Sequence, residues 1–348
     1  YQQYIRKTAE NIIKIAKEKN ASILHSASDF TIGLSTSLAS KTLNIPFFYE
    51  MRGIWPLTRA SKDPVFKNST EFKLMMRLEK QCALEADVLF VISEELKKFV
   101  LDWGVDENKI VIMPNGADFT GVRSSICERS EGKHNLVLGY IGSIASYESI
   151  DTLIKAGHIL KSWGLDNFSI LIVGDGEELD SLRSISEELG LRNVNFSGPV
   201  DPEEVSDFYN EVDVMIIPRK SSEVTEIVPS MKPLEGMSYS KLVVCSDISP
   251  HKEIIRNGKN GLLFEENSPE SLAEVIKSIL IGNVDLRGLS AKGYGWAKEN
   301  RSWKEVTREL RRVYLEYEIL VMADSKIPDT NEIIRKMKSI YDLRKYSQ

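Results

Sequence analysis

Cysteine is scarce in this sequence: Cys82, Cys127 and Cys245 are the only three in 348 residues, and no two form a CxxC pair. An odd number at wide spacing points away from a disulfide framework and from a thiolate zinc site. It fits a reducing, cytoplasmic setting in which the three act as small buried hydrophobes. Histidine is equally rare, with four in the chain, and neither a Ser-His-Asp set nor a metal-ligand cluster can be assembled from the pattern. A D-x-D metal pair is also missing. No run approaches the roughly 18 apolar residues of a membrane span, and no signal-peptide pattern opens the chain. An excess of positive charge is lacking as well: 45 Lys and Arg stand against 51 Asp and Glu, a net charge of −6. Nucleic acid is therefore not the expected partner, because a phosphate backbone needs a basic surface. A small phosphorylated ligand needs only two or three local cations and stays open.

What is present is a repeated alternation of short apolar strands and amphipathic helices, the signature of a parallel sheet covered by helices. Ile5, Ala9, Ile12, Ile13 and Ala16 recur at helical spacing. Strands are expected at 22–25, 45–49, 88–92 and 110–113, with helices at 30–43, 72–86 and 94–103. Residues 119–134 are polar and without period. The alternation then restarts, with strands at 136–141, 169–173, 194–196, 214–217, 242–245 and 262–264. The length suits two domains. The expected division is a first Rossmann-like domain at 1–122, a linker at 123–134, a second at 135–295 and C-terminal helices at 296–348. The fold class is α/β, two doubly wound domains facing across a cleft, with ligands at the carboxyl ends of the strands. In the tail, Leu310, Val313, Tyr314 and Tyr317 make one apolar stripe. A long terminal helix there packs back onto the first domain or caps only the second. The chain starts at Tyr1 inside a helical pattern and its first half offers only four strands, so a missing N-terminal segment is expected.

The segment richest in chemistry runs from Glu226 to Asp247 and contains Ser230, Met231, Lys232, Pro233 and Glu235. A turn-rich loop enters a helix at Pro233, a favoured first helical position. Helix N-termini attract anions, and Lys232 adds a point charge for a phosphate. Glu235 suits a ribose, whose two hydroxyls a carboxylate can accept. The alternative is a capping loop with a helix-start glutamate.

This segment is similar to the donor-site signature of glycosyltransferase family 4, retaining enzymes of GT-B fold, in the branch reading P-x-K-P-L-E-A-M. Other stretches match in order: Phe47-Phe-Tyr-Glu-Met-Arg-Gly-Ile-Trp55, Met113-Pro-Asn-Gly-Ala-Asp118, Leu138-Gly-Tyr-Ile-Gly-Ser143, Phe196-Ser-Gly-Pro-Val200 and Gly258-Lys-Asn-Gly-Leu-Leu-Phe264. The resemblance spans all but the C-terminal tail. It implies transfer of a sugar from a nucleoside diphosphate, UDP by default, with no metal and no cofactor. The acceptor is a saccharide or a lipid-linked saccharide. Glu235 would hold the ribose, Lys232 the diphosphate, and Gly198 and Val200 the base through their backbone, with Ser230, Met231, Gly142 and Ser143 completing the donor site.

Two departures stand out. The family's second acid falls at Ile227, with Glu226 one residue away. The family's cationic clamp, G-R-x-x-x-x-K-G, reads Gly142-Ser143 through Glu148-Ser149, so both cations are gone and one is replaced by an acid. Arg219, at the end of the strand at 214–217, is the candidate replacement, since an arginine fork suits phosphate oxygens; a surface Arg-Lys pair is the alternative. In the first domain His25, Glu50 and Arg52 follow strands on the cleft side. His25 is a catalytic or acceptor-contact candidate, Arg52 meets an anion or merely pairs with Glu50, and Trp55 stacks on a sugar or packs in its loop. The rival readings are a nucleotide-sugar epimerase and a non-catalytic nucleotide- or partner-binding protein. Lys67, Phe72, Lys73, Met75, Met76, Arg77 and Lys80 mix cations with apolar groups, which suits either a peripheral contact with the inner membrane face or an ordinary amphipathic helix.

Overall fold

A computed structural model describes residues 1–119 and 135–323. The linker expected at 123–134, Cys127 and the charged segment after Ser325 lie outside the described residues. The chain divides into two compact units. One comprises Tyr1–Gly53, Leu74–Gly116 and the segment beginning at Ser302; the other comprises Ile54–Lys73 and Ala117–Arg301.

In chain order the elements are α1 (Gln2–Lys19), β1 (Leu24–Ala27), α2 (Phe30–Leu43), β2 (Phe47–Met51), α3 (Trp55–Lys62), α4 (Thr70–Glu85), β3 (Val88–Val91), α5 (Glu94–Asp102) and β4 (Ile110–Ile112). There follow β5 (Leu136–Ile141), α6 (Asp151–Ser162), β6 (Phe168–Val173), α7 (Leu179–Glu188), β7 (Val194–Gly198), α8 (Val205–Glu211), β8 (Val214–Ile217) and α9 (Lys232–Ser238). The last are β9 (Leu242–Ser246), α10 (Ser249–Ile254), β10 (Leu262–Phe264), α11 (Pro269–Leu280), α12 (Leu286–Arg301) and α13 (Trp303–Ala323).

The first unit holds a parallel sheet in the order β1-β2-β3-β4. Its helix starts are set locally: Asp29 accepts the Thr31 N–H at 3.1 Å to open α2, and Ser93 accepts the Leu96 N–H at 3.0 Å to open α5. The apolar stripe of α13 is buried here, with Val306 and Val313 packed against Phe48, Val88, Phe90 and Met113.

The second unit holds six parallel strands in the order β10-β9-β8-β5-β6-β7. Chain order reverses between β5 and β8, the switch point at which doubly wound sheets bind ligands. Every residue of β8 and β9 is buried, so both faces must be covered by helices. One face packs Leu153, Leu160, Leu272 and Ile276 from α6 and α11, and the other packs Leu234 and Met237 from α9 and Ala297 from α12. Each aliphatic side chain buried this way contributes about 1.5–3 kcal/mol.

The segment Ile54–Lys73 was assigned with the first domain on sequence, but it groups with the second unit. The period there is short and broken by Pro56, and α3 was not expected. α3 buries Pro56, Leu57 and Ala60, and its Lys62 reaches Glu177 at 3.6 Å and the ring of Tyr147 at 5.9 Å. Trp55, at the start of this helix, is 57% exposed.

Candidate active site

At the carboxyl ends of β5, β6 and β7 the second unit opens a pocket of about 500 Å³. Gly142, Ser143, Val200 and Glu235 lie on its wall, together with Tyr209 and Tyr239. Two glycines keep the strand ends close. Gly174 has φ +132°, and a Cβ there would sit 2.0 Å from the Gly142 carbonyl oxygen. Gly142 has φ +142°, and its Cβ would meet Lys232 Cε at 2.5 Å, so this glycine makes room for the lysine stem.

Glu235 is oriented by a residue that sequence reasoning missed. The Tyr209 hydroxyl donates to Glu235 Oε2 at 3.1 Å, and the Tyr209 ring stacks on Tyr239 at 4.3 Å with an interplanar angle of 2°. Burial, reinforced by the Glu235 charge, raises the Tyr209 hydroxyl well above the usual phenol range, so it stays a donor. Nothing in the local sequence marks Tyr209; only the fold brings it to a carboxylate 26 residues away.

Lys232 lies behind Gly142 rather than on the pocket wall. Its Nζ pairs with Glu148 Oε1 at 2.9 Å, and both side chains are almost wholly buried, at 12% and 3% exposure. The lysine also lies 5.4 Å over the Tyr140 ring. Glu148 thus neutralises the cation at the helix entry. The N-terminus of α9 has less to offer an anion than its sequence suggests, because the Lys232 N–H is taken by Ser230 Oγ at 3.3 Å and Pro233 has none.

Arg219 is buried at 6% exposure. Its Nη1 donates to the Val228 carbonyl at 3.2 Å, its guanidinium lies 5.3 Å over Tyr147, and its Nε has no partner. His251 completes the neighbourhood. It is fully buried, with Nδ1 2.9 Å from the Ser246 carbonyl, and burial together with the nearby Arg219 and Lys232 charges brings its pKa down to about 4. Glu148 acts on it in the opposite sense, so these four side chains share one electrostatic environment. Glu226, the candidate second acid, receives the Ser249 N–H at 3.1 Å. Burial would raise its pKa, but this bond and Ser221 outweigh it and hold the carboxyl below its usual value. Ile227 is buried. Gly198 ends β7 and Met231 precedes α9; neither lines the pocket.

The first unit brings His25, Glu50 and Arg52 together, but His25 lies inside β1 rather than after it, while Glu50 and Arg52 flank the carboxyl end of β2. His25 Nδ1 shares a 2.7 Å hydrogen bond with the Tyr314 hydroxyl, and its ring stacks on Phe90 at 5.3 Å. Glu50 lies 3.8 Å from His25 Nε2 and 3.3 Å from Arg52 Nε. Burial lowers the His25 pKa and raises that of Glu50, Arg52 partly offsetting the latter. Tyr314 belonged to an apolar stripe on sequence, and its polar end gave no signal. Among the described residues no three His, Cys, Asp or Glu side chains are grouped so as to hold a metal ion.

The two halves match family models in order: residues 2–120 match Glycosyltransferase Family 4, and residues 128–296 match Glycosyl transferases group 1. Two parallel-sheet α/β units in this order are the architecture of the GT-B fold, and each half is matched by a glycosyltransferase family model. It is 27% identical over 257 residues to an uncharacterised glycosyltransferase of Methanocaldococcus jannaschii, covering 72% of this chain and 63% of that protein. To the D-inositol 3-phosphate glycosyltransferase of Rhodococcus opacus it is 25% identical, covering 68% of this chain and 54% of the relative. The chain therefore spans just under two thirds and about half of these relatives' lengths. In fold it resembles Anabaena HepE, solved in complex with UDP, with a TM-score of 0.71 at 17% identity over 88% of this chain and 81% of the other.

Proposed function

We propose that this glycosyltransferase chain moves a sugar from a UDP-sugar to a saccharide or lipid-linked acceptor in glycan biosynthesis, with retention at the anomeric carbon. The observation that carries the reading is the pocket at the strand ends, with a tyrosine-oriented carboxylate on its wall and Lys232 behind its Gly142. Glu235 receives the ribose hydroxyls while Tyr209 fixes its other oxygen. Val200, which follows Gly198 at the end of β7, borders the base. Arg219 and Lys232 oppose the charge that develops on the leaving diphosphate, and fixed positive groups there lower the barrier. The acceptor attacks from the face the diphosphate leaves, and a phosphate oxygen takes its proton. UDP is favoured over other nucleotides by the likeness to a UDP complex. The donor is a substrate, with no resident cofactor or metal in the scheme.

For the acceptor, the His25, Glu50 and Arg52 cluster offers hydrogen-bonding and charged groups beside the carboxyl end of β2. We place the protein in the cytoplasm, with residues 67–80 as the segment for any peripheral contact with an anionic membrane face. No helix among the described residues is long and apolar enough to cross a membrane.

Calorimetric titration of UDP, GDP and their sugars into the protein tests the donor site, with Lys232→Ala and Glu235→Ala alongside. Selective binding of UDP that is lost in both variants is the expected result. Binding of UDP that both variants retain would place the donor elsewhere and contradict the assignment.

A further inference from the structure

Glu148 occupies a position that the donor chemistry does not call for. A carboxylate beside a diphosphate site repels the ligand, yet this one is buried at 2% exposure and bonded to Lys232 Nζ at 2.9 Å. Its second oxygen, Oε2, is buried and has no hydrogen-bond partner. Any anion that bonds the same ammonium comes within roughly 6 Å of the carboxylate, the sum of two hydrogen-bond lengths. At that range in a buried setting a like charge is weakly screened. The local balance is therefore one positive charge rather than two, since Glu148 cancels Lys232 and leaves Arg219. The neighbouring His251 adds none above its pKa of about 4.

We propose that Glu148 is a specificity-determining residue of the donor site, one that occupies the Lys232 ammonium and leaves Arg219 to supply the net attraction for the diphosphate. This rests on the donor-site reading above. The pair serves two ends. It keeps Lys232 ordered over Gly142 in the absence of donor, and it limits the grip on the nucleoside diphosphate that remains after transfer, the product whose charge the site would otherwise hold most tightly. The sugar-bearing donor carries less charge on its diphosphate than the free product does. Cancelling one cation therefore weakens product more than donor and favours turnover.

The test is titration of UDP and of uridine into the wild type and Glu148→Gln, followed by thermal melts with and without UDP. Removing the carboxylate charge should tighten UDP by about tenfold while uridine, which has no phosphate, changes little. Without ligand the Gln variant should melt lower, because Lys232 is then buried without its partner. UDP should raise its melting temperature by more than it raises the wild type's. Equal or weaker UDP binding by the Gln variant would overturn the proposal. If Glu148→Gln does not fold, Glu148→Ala carries the same expectation, and Glu148→Asp, which keeps the charge, should stay near wild type. UDP binding by the wild type that is lost in Glu235→Ala, without the gain on neutralising Glu148, would refute this inference and leave the donor site standing. Absence of UDP binding in all the proteins would refute both.

Discussion

Two buried glutamates, one in each unit, show how the partner decides what a buried carboxyl does. Glu79 on α4 is fully buried, and it meets only neutral donors, the Tyr49 hydroxyl at 3.0 Å and the Phe30 N–H at 3.3 Å. Burial, only partly offset by those bonds and reinforced by the Asp29 charge, raises its pKa to about 7. Glu148 is as deeply buried but meets an ammonium. The first is a structural tie between α2, β2 and α4 whose charge depends on pH. The second is half of a buried ion pair behind Gly142, a wall residue of the pocket. Burial alone does not separate the two roles; the charge of the partner and the nearness of a cavity do.

The contrast can be broken most severely at the Lys232 side. Lys232→Ala leaves Glu148 buried without its cation and should cost about 3–5 kcal/mol in urea unfolding. Adding Glu148→Gln to that variant should recover part of the loss, since no charge is then left unpaired. Failure of the second substitution to recover stability would mean that the pair is not what holds this corner.

Next in size is the backbone frame that holds the pair at the pocket. Gly174→Ala places a methyl 2.0 Å from a backbone oxygen that cannot swing away, at a φ of +132°. About 3 kcal/mol of stability should be lost, with nucleotide binding, as read by unfolding and titration of the same sample.

The Glu79 side sharpens the comparison through pH. A carboxyl whose folded pKa is raised stabilises the fold below its unfolded pKa of 4.5 and loses that contribution as pH rises towards about 7. Wild-type stability should therefore fall across that window relative to Glu79→Gln by roughly 2–3 kcal/mol. Unfolding curves of the two proteins at pH 4.5, 6 and 7.5 read the difference directly. Parallel curves would show that Glu79 does not titrate there.

The smallest expected effect is at Tyr209. Tyr209→Phe keeps the stack on Tyr239 and removes one hydrogen bond to Glu235, so UDP affinity should fall by about fivefold, near 1 kcal/mol, with little change in stability.

Strand positions were legible in the sequence because apolar runs such as 138–141, 214–217 and 242–245 are buried on both faces, and that burial leaves a continuous pattern. Lys232, Glu235 and Arg219 stand out as candidates in the sequence because strand ends and helix entries carry local signals. An acid at position 148 is plain in the sequence, but its pairing is not. Its partner is 84 residues away in sequence, and only the parallel order at the switch point brings the two together. Tyr209 and Tyr314 were missed for the same reason: each acts through a hydroxyl on a ring that otherwise packs as a core residue. Ile54–Lys73 falls within the first family match, 2–120, yet its contacts group it with the second unit, and a short helix has too few turns for the sequence to show where it packs.

The central claim, a donor site at the switch point of the second unit, is tested most directly by a crystal structure of the protein with UDP. The ribose hydroxyls should lie on Glu235 with the Tyr209 bond intact, and the diphosphate should lie beside Gly142 with Arg219 as its cationic neighbour. UDP bound away from Glu235, or a diphosphate that touches neither Arg219 nor Lys232, would contradict it.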